Sequence, residues 1–219
     1  MLVPVDRAGA VEVIDLVPSK IIGIGSNYRA HAMEMGKDIP EEPLIFLKAP
    51  SSLWPDGGAI ERPDGGFARV DYEGELGVVI GQRARRVSRE RALDYVLGFT
   101  CVNDVTVREL QKKDGQFARA KGFDTFCPLG PRIVAGLDPS KLAIKTRLNG
   151  KLVQDSSTAD LIFDVPTLIS FVSQHMTLEV GDVIATGTPS GVGNMAVGDV
   201  VEIEIEGIGI LRNPVIARP

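Results

Sequence analysis

Residues 71–80 read Asp71-Tyr72-Glu73-Gly74-Glu75-Leu76-Gly77-Val78-Val79-Ile80. In a β-strand, side chains at i and i+2 share a face, so Glu73 and Glu75 project side by side. Tyr72, Leu76, Val78 and Ile80 then form the apolar half of the alternation. Two like charges that close are unfavourable without a proton or a cation between them. The spacing therefore points to a divalent metal held by oxygen ligands over a packed core. The plainer alternative is an edge strand carrying two solvated glutamates.

Working outward, strand-like segments dominate. They are expected at 21–24, 44–47, 98–103, 144–148, 183–186, 200–205 and 208–212, with 70–80 as one continuous strand. Asn149-Gly150, between 146–148 and 151–153, is a two-residue hairpin signal. Helices are expected only at 28–35 (with Ser26 or Asn27 as cap and Gly36 as stop), 88–97, 105–111 and 166–175. The 24 glycines and 14 prolines are spread throughout, which suits many short strands joined by tight turns. The expected architecture is a mostly-β domain with short peripheral helices, and no linker divides the 219 residues, so 1–219 is expected to be one domain.

Composition narrows the function. A formal charge of −5 argues against a nucleic-acid surface. The basic run Arg83, Arg85, Arg86, Arg89 and Arg91 lacks interleaved aromatics and adjoins Glu90 and Asp94, as a solvated turn would. No apolar run approaches the about 20 residues of a membrane helix. Asp6, Glu12 and Asp15 are unlike a signal peptide. Cys101 and Cys127 fit buried free thiols in a reducing cytoplasm, and two histidines without a CxxC pair make a His/Cys zinc site a poor fit.

A third acid joins the glutamates. Asp104 ends the buried-looking run 98–103, where a rigid strand hands over to a helical turn. Three carboxylates form a hard oxygen set suited to Mg²⁺, Mn²⁺ or Ca²⁺, although an acid in that position also serves as a helix cap. Arg108, Lys121 and Gln111, the last on Arg108's face at i+3, would supply counter-charge and polar contacts. His31 and Glu34 lie three apart on the short helix, and a carboxylate beside an imidazole orients it as a water-activating base. A surface His–Glu pair is the alternative. His175 is expected to cap the C-terminus of its helix. The run Thr186-Gly187-Thr188-Pro189-Ser190-Gly191-Val192-Gly193 is expected either to let backbone N–H groups approach a small carboxylate or to be a plain glycine turn.

Taken in order, these motifs resemble the fumarylacetoacetate hydrolase family. They are Tyr28-x-x-His31-Ala32-x-Glu34-x-Gly36, Phe46-x-Lys48, Asp71-Tyr72-Glu73-x-Glu75-Leu76, Asn103-Asp104-Val105-Thr106-x-Arg108 with Gln111, and Lys121-Gly122-Phe123-Asp124-Thr125-Phe126 with Gly130-Pro131. Asn149-Gly150, Thr186-Gly187-Thr188-Pro189-x-Gly191-Val192-Gly193 and Gly198-Asp199 complete the series, over about residues 20–216.

The resemblance implies a β-sandwich-like roll, a cytoplasmic homodimer of the short single-domain kind, and Mg²⁺ or Mn²⁺ on Glu73, Glu75 and Asp104. It implies a His31–Glu34 dyad on a lid helix, Lys121 as the active-site lysine, and Arg108, Gln111 and Thr188 as substrate contacts. The substrate implied is a small 2-oxo acid. The leading expectation is hydrolysis of an acylpyruvate such as fumarylpyruvate through a pyruvate enolate. Oxaloacetate decarboxylation or tautomerisation and 2-hydroxyhepta-2,4-diene-1,7-dioate isomerisation use the same groups. A non-catalytic metal-stabilised binding protein is the alternative from another class. The segment 116–120 departs mildly from the family pattern, which bears on pocket shape.

Overall fold

The strand Gly74–Ile80 is buried along its whole length, and that position explains the architecture. The computed structural model describes residues 1–34, 36 and 38–218. Among these, Gly74–Ile80 lies inside a nine-stranded mixed sheet. In spatial order the path is Ala10–Asp15, Leu2–Arg7, Cys127–Val134, Val96–Asn103, Gly74–Ile80, Val183–Ala185, Ile21–Gly25 and Leu44–Lys48, and Leu53–Pro55 pairs with Cys127–Val134 off this path. The alternation then serves two cores. Leu76, Val78 and Ile80 pack with Ile144, Ile203, Ile205 and Leu211 of a second, five-stranded sheet, and with the helix Val165–His175. Val79 joins Val3, Val5, Val102 and Leu129 on the other side. The molecule is mostly β, with two sheets packed face to face, as expected.

The expected continuous strand over 70–80 is corrected at Glu73. Val70–Tyr72 belongs to a small three-stranded sheet with Thr106–Val107 and Gly193–Asn194, and the chain enters the large sheet only at Gly74. Only a glycine fits at this crossing, because the five-stranded sheet comes close there. A Cβ at that position would lie 2.2 Å from Thr146 Oγ1. Gly74→Ala is therefore expected to cost about 1–3 kcal/mol in urea unfolding; a cost under ~0.5 kcal/mol would contradict this close approach.

The helical expectations are met in part. The first helix is Arg29–Glu34, and Met35, the last residue of the expected span, lies outside the described residues. The span 88–97 forms 3₁₀ helix over Arg89–Tyr95 before turning into strand. The expected helix 105–111 is displaced: β-branched Thr106 and Val107 pair with Asp71 and Val70, and the helix runs Arg108–Asp114. Pairing between distant segments decided the outcome there. His175 ends Val165–His175 with its Nδ1 2.8 Å from the Phe171 carbonyl oxygen, a bond within the last turn. Cys101 and Cys127 are buried free thiols, and burial pushes both up to about 12. Among the described residues no helix is long and apolar enough to cross a membrane.

Candidate metal centre and active-site cleft

Three chain segments bring the acids together. Glu73 sits at the crossing between sheets, Glu75 one residue into the large sheet, and Asp104 just past Val96–Asn103, its N–H bonded to the Glu73 carbonyl at 2.9 Å. One oxygen from each carboxylate lies within 4.8 Å of the others, and all three residues are buried. Glu73 and Glu75 line a small cleft with His31, Arg108, Gln111 and Lys121, and Thr188 is also on its wall. Asp104 lies fully buried behind them. The site residues expected from the sequence other than Glu34 thus lie in or against one cleft, and Glu34 stands beside His31.

The acids differ electrostatically. Burial by itself would push Glu73 up, but Lys121 Nζ at 2.8 Å and Arg108 Nη2 at 2.6 Å hold it well below the usual carboxylate range. Glu75 takes a single 2.8 Å bond from the Gly187 N–H, and burial together with the charges of Asp104 and Glu73 pushes it well above that range. Glu75 is therefore a carboxyl group placed where a further cation would stabilise it. An all-oxygen set suits a hard divalent ion, so these residues fit the group that the chemistry calls for.

Lys121 is the hub of the cations. Its ammonium donates to Glu73 Oε2, to Asp104 Oδ2 at 2.6 Å and to Thr106 Oγ1 at 2.8 Å. Burial would lower its pKa, but Asp104 and Glu73 more than offset this and keep it charged. Arg108 bridges Asp71 (Nε to Oδ2, 2.7 Å) and Glu73, and also donates to Gln111 Oε1 at 3.0 Å. Arg69 holds Asp71 from the other side at 2.9 Å. Removing one partner of such a buried pair strands the other charge. Arg108→Met is thus expected to destabilise the protein in EDTA by about 3 kcal/mol, at the lower end of the ~3–5 kcal/mol range because Arg69 and Lys121 remain. A loss below ~1 kcal/mol in denaturant unfolding would refute that role.

His31 Nδ1 is 3.2 Å from Glu34 Oε2. A carboxylate only accepts, so Nδ1 carries a proton, and the neutral tautomer this selects has its lone pair on Nε2. The same Glu34 carboxylate accepts from the Gly191 N–H at 3.1 and 3.2 Å. Here the glycine-rich loop departs from expectation. Its Gly187 and Gly191 N–H groups do approach carboxyl groups, but these are the protein's own Glu75 and Glu34. Gly191 holds φ +96°, and a Cβ would meet the Val153 carbonyl oxygen at 2.1 Å, so no other residue fits there. Thr188 Oγ1 donates to the Gly74 carbonyl and accepts from Gln154, which ties the cleft wall to the crossing.

Sequence reasoning assigned no role to Lys48 or Asp71, though both lie in the quoted motifs. Their only sign in the sequence was a charge in or beside a strand-like run. Both are buried here.

The β-sandwich thus carries a buried carboxylate triad that could hold a metal ion, beside a cleft that His31 also lines. The chain matches the fumarylacetoacetate hydrolase C-terminal family over residues 20–216, and it belongs to that family. The oxaloacetate tautomerase YisK of Bacillus subtilis is 47% identical over 211 residues, spanning 90% of this chain and 70% of that protein. A solved 2-hydroxyhepta-2,4-diene-1,7-dioate isomerase from Mycobacterium marinum superposes with a TM-score of 0.86 at 43% identity, over 94% of this chain and 78% of that one. Fumarylpyruvate hydrolase from Pseudomonas aeruginosa, in complex with Mn²⁺ and pyruvate, gives a TM-score of 0.88 at 28% identity, over 99% and 97%.

Proposed function

We propose that this protein is a divalent-metal-dependent enzyme that interconverts keto and enol forms of a small 2-oxo dicarboxylate such as oxaloacetate. The observation that carries this reading is the convergence of Glu73, Glu75 and Asp104 beside a cleft lined by His31, with Lys121 bonded to two of the acids. Mg²⁺ or Mn²⁺ on the three carboxylates would supply Lewis-acid stabilisation of the negative charge that develops as a 2-oxo acid enolises.

The remaining work falls to side chains. Glu34 fixes the His31 tautomer, which leaves Nε2 able to take the C3 proton of the keto form and deliver it to the C2 oxygen as the enol forms, with the reverse transfer on ketonisation. Arg108 and Lys121 on the cleft wall, together with a dication on the carboxylates, would favour an anionic substrate. Gln111, held by Arg108, offers its amide N–H₂ as a donor, since its carbonyl is already engaged.

The similarities support moving tautomerisation ahead of the acylpyruvate hydrolysis first expected from sequence. The relative called oxaloacetate tautomerase is 47% identical and the isomerase 43%; of those called hydrolase, the fumarylpyruvate enzyme is 28% identical and a fumarylacetoacetate hydrolase from Exiguobacterium antarcticum 43%, so the order rests on the tautomerase. Hydrolysis stays as the second reading, because the His31–Glu34 pair suits water activation equally well. NMR product analysis with Mn²⁺ separates the two. Acetylpyruvate, fumarylpyruvate, oxaloacetate and an unsaturated 2-oxo heptanedioate are each incubated with the protein. Accelerated ketonisation of oxaloacetate without acylpyruvate cleavage is expected. Release of pyruvate plus a carboxylic acid would replace this reading with the hydrolase, and CO₂ release with the decarboxylase.

A further inference from the structure

Lys48 has a fully buried side chain and does not line the cleft, yet it donates to two parts of the site. Its ammonium reaches Asp104 Oδ1 at 2.6 Å and the backbone carbonyl of Lys121 at 2.5 Å. Asp104 is therefore held between two lysines, Lys48 on Oδ1 and Lys121 on Oδ2. Lys48 ends Leu44–Lys48 at the edge of the large sheet, Asp104 follows Val96–Asn103, and Lys121 ends the short helix Ala118–Lys121. One ammonium thus joins three elements.

The same strand grips Lys121 a second time. Phe46, two residues before Lys48 and so on the same face, places its ring 4.9 Å from Lys121 Nζ. That ring crosses Gly23 of the neighbouring strand, where a Cβ would lie 2.1 Å from it, and it packs edge-on against Phe117 at 5.3 Å. The edge strand holds the lysine at its backbone and at its tip. Burying a lysine in this way is costly unless its charge is paired, and the pairing here is with a carboxylate of the candidate metal set.

We propose that Lys48 is a positioning residue of the metal site: it orients the Asp104 carboxylate and fixes the backbone that aims Lys121, so that metal ligand and active-site lysine are set as one unit. The proposal rests on the reading of Glu73, Glu75 and Asp104 as a metal site. It makes a prediction of definite sign. As a mere nearby charge, Lys48 would repel a dication, and Lys48→Met would bind metal more tightly. As a positioning group its loss weakens binding, by the ~10–100-fold typical of partners that orient metal ligands.

The test is isothermal titration of the apo-protein and of Lys48→Met with Mn²⁺ alone, with circular dichroism as the fold control. Lys48→Gln, which keeps one donor, is measured in parallel and replaces the methionine variant if that does not fold. Mn²⁺ affinity reduced by about 10–100-fold in Lys48→Met, and by less in Lys48→Gln, is the expected result. Equal or tighter binding in a folded variant would overturn the positioning role, whatever the enzyme turns over. Normal Mn²⁺ binding by the unsubstituted protein without 2-oxo acid turnover would instead overturn the proposed function and leave Lys48 to be judged on affinity. Absence of Mn²⁺ binding to the unsubstituted protein would overturn both.

Discussion

Glu75→Gln is expected to abolish metal-dependent activity while making the EDTA-treated protein more stable. Glu75 shares buried space with Glu73 and Asp104, and burial and their charges push its pKa well above the usual range. Glutamine keeps an oxygen for the Gly187 N–H and removes the charge. The sign of the pH dependence follows from linkage. Below the unfolded-chain pKa of about 4.3 both states hold the proton, and the substitution changes little. As pH rises past that value the unfolded chain ionises while the folded one retains its proton, so wild-type stability falls. The advantage of Glu75→Gln therefore grows with pH until the folded-state pKa is reached. A gain of at least ~2–4 °C in Tm near pH 8, about 1 kcal/mol, is expected in EDTA. Mn²⁺ should reverse the order, because it stabilises only the wild type. A variant less stable than wild type in EDTA at pH 8 would show that Glu75 is already satisfied without a cation.

His31→Ala is the second large effect, and it separates chemistry from binding. The imidazole is the one base in the cleft whose tautomer is set by a partner, with Glu34 in turn held by the Gly191 N–H. Its removal is expected to lower kcat by ~10²–10⁴-fold, the contribution typical of a positioned general base. Mn²⁺ affinity should be nearly unchanged, since His31 is outside the carboxylate set. Steady-state kinetics beside a Mn²⁺ titration measures both. Unaltered kcat would remove His31 from the mechanism. Lost metal binding with kcat kept at saturating Mn²⁺ would assign it to the metal site.

The residue types of this site were legible because its chemistry is local. Glu73 and Glu75 are two apart, and His31 and Glu34 three apart, so strand and helix geometry alone place each pair. The way these pairs meet was less legible. Lys48 and Asp104 are 56 residues apart, and no periodicity shows that an edge-strand lysine turns inward to meet a strand-end aspartate. The break at Glu73 was hidden for a related reason: the pattern of 70–80 is that of one strand, while its pairing partners belong to different sheets.

The N-terminal hairpin Leu2–Arg7 and Ala10–Asp15 was missed because Val11 and Val13 are exposed and Pro4 interrupts the first strand, which blurs inside and outside. Cys127–Val134, with Pro128, Gly130 and Pro131, carries the composition of a turn and is held as strand by neighbours on both sides. In each case long-range pairing overrode local preference.

The measurement that tests the central claim most directly is the rate of enol-to-keto conversion of oxaloacetate, followed by enol absorbance, in EDTA and again as Mn²⁺ is titrated back. Catalysis lost in EDTA and restored in proportion to Mn²⁺ occupancy is the predicted result. A catalysed rate indifferent to EDTA, or no rate above buffer with Mn²⁺ bound, would contradict a metal-dependent 2-oxo acid enzyme built on Glu73, Glu75 and Asp104.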